Sequence, residues 1–190
     1  MTHPTASSLP IHTASSLLLA YPHAGVAATF LFCSLFALIA KKITLTILGP
    51  NSPLRGVAAR VSCKLVCVLF DTTAVIWSIQ SLLNPTPSLI RDPIYGYSPQ
   101  SQSLFALAAG FFLWSATMSI IYRGSKVSIV HHLICFAVYF LGLTPFLHRV
   151  GPVFLLFQGS TLILDLKSCT HLIAGANSKH YTKMLTSIHP

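Results

Sequence analysis

The chain is laid out as five apolar runs of about twenty residues, parted by short gaps that hold most of its charge. The runs cover residues 17–40, 60–83, 101–122, 127–143 and 152–173. About 20 apolar residues are what a helix needs to cross a hydrocarbon core of about 30 Å. Inside that core each backbone N–H and C=O needs a partner within its own segment, which leaves helices as the spanning form for runs of this length. The expected fold is therefore an all-α polytopic membrane helix bundle of five spans. The same reading leaves room for a sixth, broken segment. Residues 1–16 have no periodicity and read as a loose N-terminal segment. Residues 17–174 form the transmembrane domain, and 175–190 a basic polar tail. With no basic stretch ahead of the first run, that run reads as a retained anchor rather than a cleaved leader.

Composition closes off the soluble alternative. The chain is 53% hydrophobic and 8% charged, against about 25% charged in a soluble domain. It has no Glu, and its only acids are Asp71, Asp92 and Asp165. A net charge of +9 would suit a nucleic-acid binder if the bases formed one face. They lie instead between apolar runs, as topology-setting charge does, so no nucleic-acid partner is expected. Lys41, Lys42, Arg55 and Arg60 flank the first gap, Arg123 and Lys126 make the third, and Lys179 and Lys183 lie in the tail. The alternate gaps hold Arg91, offset by Asp92, and Arg149. That asymmetry predicts a cytoplasmic C-terminus and an outside N-terminus.

Four of the runs carry hydrophilic residues at helical spacing. Arg60, Lys64, Cys67, Asp71 and Ser78 share one face of the second, and Ser115, Ser119 and Tyr122 one side of the third. Ser128, His131, Cys135, Tyr139 and Gly142 follow on the fourth, with His132 beside them. Gln158, Thr161, Asp165 and Cys169 mark the fifth. An ionisable group at membrane depth is costly and usually faces the bundle interior or a wet cavity. The stripes could thus line one cavity, with His131, His132, Asp71 and Asp165 as candidate catalytic residues and Lys64, Ser115, Tyr139, Gln158 and Thr161 around them.

Three uses of that set are open. Histidine titrates near neutral pH and could act as a base in acyl transfer between lipids, oriented by a carboxylate. It could relay protons in a transporter. The set could also be an inert polar core that fixes helix register. No metal or other cofactor is expected: adjacent histidines on a helix point about 100° apart, and the five cysteines lack paired ligand spacing.

Several segments together resemble the TLC domain, a multi-span family that includes ceramide synthases, translocation-associated proteins and lipid-linked members. Val61-Ser62 opens the second run, and Asp92-Pro93-Ile94-Tyr95-Gly96 follows in the next loop. Ala109-Gly110 lies in the third run, His131-His132 in the fourth and Gln158-Gly159-Ser160-Thr161 in the fifth. The likeness covers residues 55–168 and is nearest the branch outside the ceramide synthases. In the ceramide synthases a His-Asp and a further Asp follow the histidine pair, and the matching positions here are Gln158, Gly159 and Leu162. The nearer branch carries acids near Ser115 and at Gln158, a histidine at Lys64 or Leu65, and a last helix not legible after Ile173. The resemblance implies an integral protein of the endomembrane system, foremost the endoplasmic reticulum. Its partners would be membrane lipids, and it would act in lipid homeostasis without ceramide synthesis or catalysis of its own.

Overall fold

The computed structural model describes residues 22–48 and 57–176, and within them every regular element is a helix. They are α1 (Pro22–Leu48), α2 (Ala58–Leu83), α3 (Pro87–Arg91), α4 (Pro99–Ile121), α5 (Lys126–Leu141), α6 (Gly151–Leu156) and α7 (Gln158–Ala176). The loose N-terminal segment, the bases Arg55, Lys179 and Lys183, and most of the tail lie outside the described residues. α1, α2 and α4 are long and apolar enough to cross a membrane, whereas α5 is a shorter apolar helix of 16 residues. At 1.5 Å per residue α5 reaches about 24 Å.

Two expected boundaries move. α1 does not close at Lys41-Lys42 but runs on to Leu48; both lysines are exposed, and no breaker precedes Gly49-Pro50. The fifth run is not one helix but two, stepping at Phe157. There the Phe157 N–H donates to Phe154 O at 3.2 Å and the Ser160 N–H to Phe157 O at 3.1 Å. These three-residue bonds tighten the turn, and the Ser160 hydroxyl donates to the same Phe157 oxygen at 2.7 Å. A serine that bonds back onto the preceding turn, beside Gly159, supplies the local reason.

α4 is the hub. Of its most apolar stretch 61% is buried inside the bundle, against 17% for α1. It packs against α1, α2, α5 and α6, while α2 also packs against α1, α6 and α7. Small residues let α1 and α4 approach closely. A Cβ on Gly110 would lie 2.5 Å from the Val26 carbonyl oxygen and 2.6 Å from Thr29 Cβ, and Ala108 and Ala109 have no exposed surface. Close backbone approach is how small residues promote helix association in lipid. Gly110→Leu is expected to wedge the pair apart at a cost of about 3 kcal/mol, the upper range for overpacking. Gly25→Ala, whose Cβ would meet only Ala106 Cβ at 3.1 Å, should cost far less. Thermal unfolding of both variants in detergent checks the ranking.

One end of the bundle is cross-braced by loops. Asp92 Oδ1 accepts from the N–H groups of Ile94 and Tyr95 at 3.0 and 2.9 Å, and Gly96 N–H donates to Asp92 O at 2.9 Å. The Asp-Pro-Ile-Tyr-Gly segment is thus a side-chain-capped turn. The Leu147 N–H donates to Ile94 O at 2.8 Å, tying this loop to the one before α6. His148, with no exposed surface, joins three segments. The Ser98 N–H donates to its Nδ1 at 3.1 Å. Nε2 must then carry the ring proton, which it shares between the Gly142 and Thr144 carbonyls at 2.9 Å each.

Candidate functional site

The first helix face to settle is that of α2. Lys64 and Asp71 lie two turns apart on it, yet they do not pair. Lys64 Nζ reaches across to α7 and donates to Asp165 Oδ1 at 2.6 Å. It is the only ion pair among the described residues. Asp71 stays 1% exposed with Oδ2 unpartnered among the described residues. Phe70, its neighbour, stacks on Phe111 of α4 at a centroid distance of 3.7 Å, which fixes the rotation of α2 and turns the Asp71 face inward.

The two histidines of α5 have different settings. His132 Nε2 lies 3.1 Å from Ser115 Oγ of α4 and 3.2 Å from Ser128 Oγ one turn back on α5. Its ring stacks over Phe112 at 6.1 Å, and its Nδ1 is buried without a partner among the described residues. His131 is exposed and sits beside the Cys135 sulfur, 3.7 Å from Nε2. Among the described residues no carboxylate lies within 4 Å of either ring, so serines, not acids, hold the His132 imidazole.

These side chains face one cavity of about 1080 Å³. His131, His132, Asp71, Asp165, Lys64, Ser115, Tyr139, Gln158 and Thr161 all line it. The four helices that carry them have brought every residue of the stripes' central set to one place. The lining is mostly apolar and has two ends. Arg60, Lys64, Tyr122, Ser128, His131 and Asp165 mark one, at the start of α2 and α5 and the last turn of α4. Phe105, Phe146 and Phe154 wall the other. Between the ends come Asp71, Trp114 and Tyr139; the Trp114 indole N–H, like Asp71 Oδ2, is buried without a partner among the described residues.

The wall has a seam. α5 lines the cavity opposite α6 and α7 and is not packed against either. Ile134, Val138 and Leu141 on one side and Phe154 and Phe157 on the other line the cavity while remaining exposed, between 54% and 70%. Metal ligation is not evident: among the described residues no three His, Cys or Asp side chains gather as a metal site, and the cysteines are free thiols.

Three contributors could not be singled out from residue spacing. Phe105, Phe112 and Trp114 line the cavity, but on an evenly apolar α4 no periodicity separates them from core. His148, lone in a loop, gave no signal of burial.

A helical bundle with apolar outer faces and its hydrophilic side chains turned inward is the build of an integral membrane protein. This chain belongs to the TLC domain family, whose model matches residues 59–188 and so continues past the described end of α7. A relative is an uncharacterized TLC domain-containing protein of Saccharomyces cerevisiae, 26% identical over 111 residues. That match takes in 56% of this chain and 35% of the yeast protein, so the chain spans about a third of its relative's length. No solved structure matches the chain.

Proposed function

We propose that this protein holds a membrane lipid in the cavity between α2, α4, α5 and α7, and that it senses or adjusts lipid composition without chemistry of its own. One observation carries the reading: a mostly apolar cavity of about 1080 Å³, polar at one end and opening between α5 and α7. Ligand pockets run to about 300–1,000 Å³, so a chain with a modest polar head would fit. The lips at the seam would let such a molecule enter sideways from the bilayer. TLC family membership is in keeping with a lipid-related role, and we place the protein in the endomembrane system, with the endoplasmic reticulum as the compartment to test first.

Two features support holding over catalysis. The positions that match the ceramide synthase His-Asp and later Asp are Gln158, Gly159 and Leu162, and the His132 ring leans on two serines instead of a carboxylate. An acyltransferase using His132 as its base is the second reading, favoured by the unpartnered Nδ1 at the cavity wall. A proton path has less support, since aromatic rings wall the far end.

A photoactivatable, clickable fatty-acid precursor fed to cells separates these readings. Lipids made from it should label α5 and α6 at the seam, around Val138 and Phe154, and His132→Ala should leave the lipid profile unchanged. Labels confined to the outer face of α1, around Leu31 and Leu35, would overturn lipid holding. Loss of one lipid class with retained labelling would favour the enzyme.

A further inference from the structure

Of the three rings that wall the apolar end of the cavity, Phe105, Phe146 and Phe154, only Phe105 is buried. Phe105 of α4 lines the cavity yet is 2% exposed. Two glycines crowd it. A Cβ on Gly142 would come 2.5 Å from Phe105 Cδ2, and one on Gly151 would overlap the far edge of the ring. Behind it the His148 imidazole meets the ring edge-on at 5.3 Å, and Tyr139 leans on it at 5.6 Å. His148 is itself pinned by Ser98, Gly142 and Thr144. Most flexible walls yield to a ligand; this one is backed by two glycines with no side chain to move and by a histidine bonded at both ring nitrogens.

From these contacts we infer that Phe105 sets the length of the acyl chain the cavity accepts, acting as a specificity-determining stop. The inference rests on the lipid-holding reading above. Ten residues of α4 separate Phe105 from Ser115, where His132 is held, or about 15 Å at helical rise. A head group kept at the polar end therefore leaves a fixed run for its tail. In lipid, moving an acyl chain from bilayer to cavity brings no hydrophobic gain, because both surroundings are apolar. Discrimination has to come from fit. A chain that fills the run gains contacts, while one that overruns it must displace a ring that cannot retreat. The pairing of glycine with phenylalanine has a purpose under this view: any larger residue at 142 or 151 would drive the ring into the cavity and shorten it.

The test uses the whole protein in detergent with saturated 1-monoacylglycerols of six to twenty-two carbons, binding being read by native mass spectrometry. Wild type is expected to show a cut-off, beyond which binding weakens at least about fivefold, the low end of what overfilling a packed site costs. Phe105→Ala should move the cut-off to longer chains, and Phe105→Leu should move it part of the way. Leu keeps an apolar side chain of similar depth, so it answers the question if the alanine variant does not fold. Gly151→Ala should move the cut-off the other way. A cut-off unchanged in Phe105→Leu and Phe105→Ala, with binding retained, overturns the stop and leaves lipid holding intact. No binding of any chain length by a folded wild-type protein overturns lipid holding itself.

Discussion

Lys64→Met is expected to unseat α7 from α2. It strands Asp165, whose side chain is 8% exposed, beside an already unpartnered Asp71. Removing one partner of a buried ion pair costs about 3–5 kcal/mol, because the remaining charge keeps its desolvation penalty and loses its compensation. The low end applies here, since the Lys64 side chain is 37% exposed. Asp165→Asn should cost less: a long lysine stem can turn its ammonium toward the polar end, which an aspartate cannot do. The double variant Lys64→Met, Asp165→Leu should recover most of the loss, as apolar replacement of a whole buried pair often does. The measurements are monodisperse recovery and thermal midpoint in detergent. A Lys64→Met protein as stable as wild type would show that something else docks α7.

The second large effect is expected at the braced end. His148→Ala removes the acceptor for the Ser98 N–H and the donor to two carbonyls. Ser98 is 3% exposed and Gly142 is buried, so water cannot easily replace the ring. With about 1–3 kcal/mol for each buried group left unpaired, a loss of about 3 kcal/mol follows. His148→Gln, which keeps an acceptor and a donor at similar reach, should lose about half as much by the same accounting. Intrinsic tryptophan fluorescence during heating reads the difference. Equal stability of His148→Ala and wild type would assign the brace to the Leu147–Ile94 and Arg149–Leu89 contacts instead.

How far such features can be read from residues alone depends on whether they are local. The stripe Arg60, Lys64, Cys67, Asp71 repeats at the period of a helix, and a costly group in lipid has few places to face; its inward turn follows from those two facts. Ala108, Ala109 and Gly110 similarly announce close packing. The partner of Lys64, however, lies 101 residues away, and nothing in the spacing prefers Asp165 over Asp71. The step at Phe157 adjoins Gln158-Gly159-Ser160-Thr161, whose helical spacing with Asp165 and Cys169 reads equally well as the polar stripe of one continuous helix. His148 carries no mark of burial, because its three partners are backbone groups, which every sequence has everywhere. Phe105 was invisible for a related reason, since its role comes from two glycines on other segments.

The Lys64–Asp165 pair also bears on how the chain is made. Among the described residues α7 is not one of the helices long and apolar enough to cross a membrane, and an aspartate near its middle costs about 2.5–3.5 kcal/mol in lipid. Its counter-ion rides on α2, synthesised long before. For α7 to leave the insertion machinery with its charge covered, α2 has to linger there while α4 and α5 emerge, rather than drift off into the surrounding lipid. Translation order and assembly order are thereby coupled, and a ribosome stalled before α7 would leave behind a bundle with a bare lysine awaiting its acid.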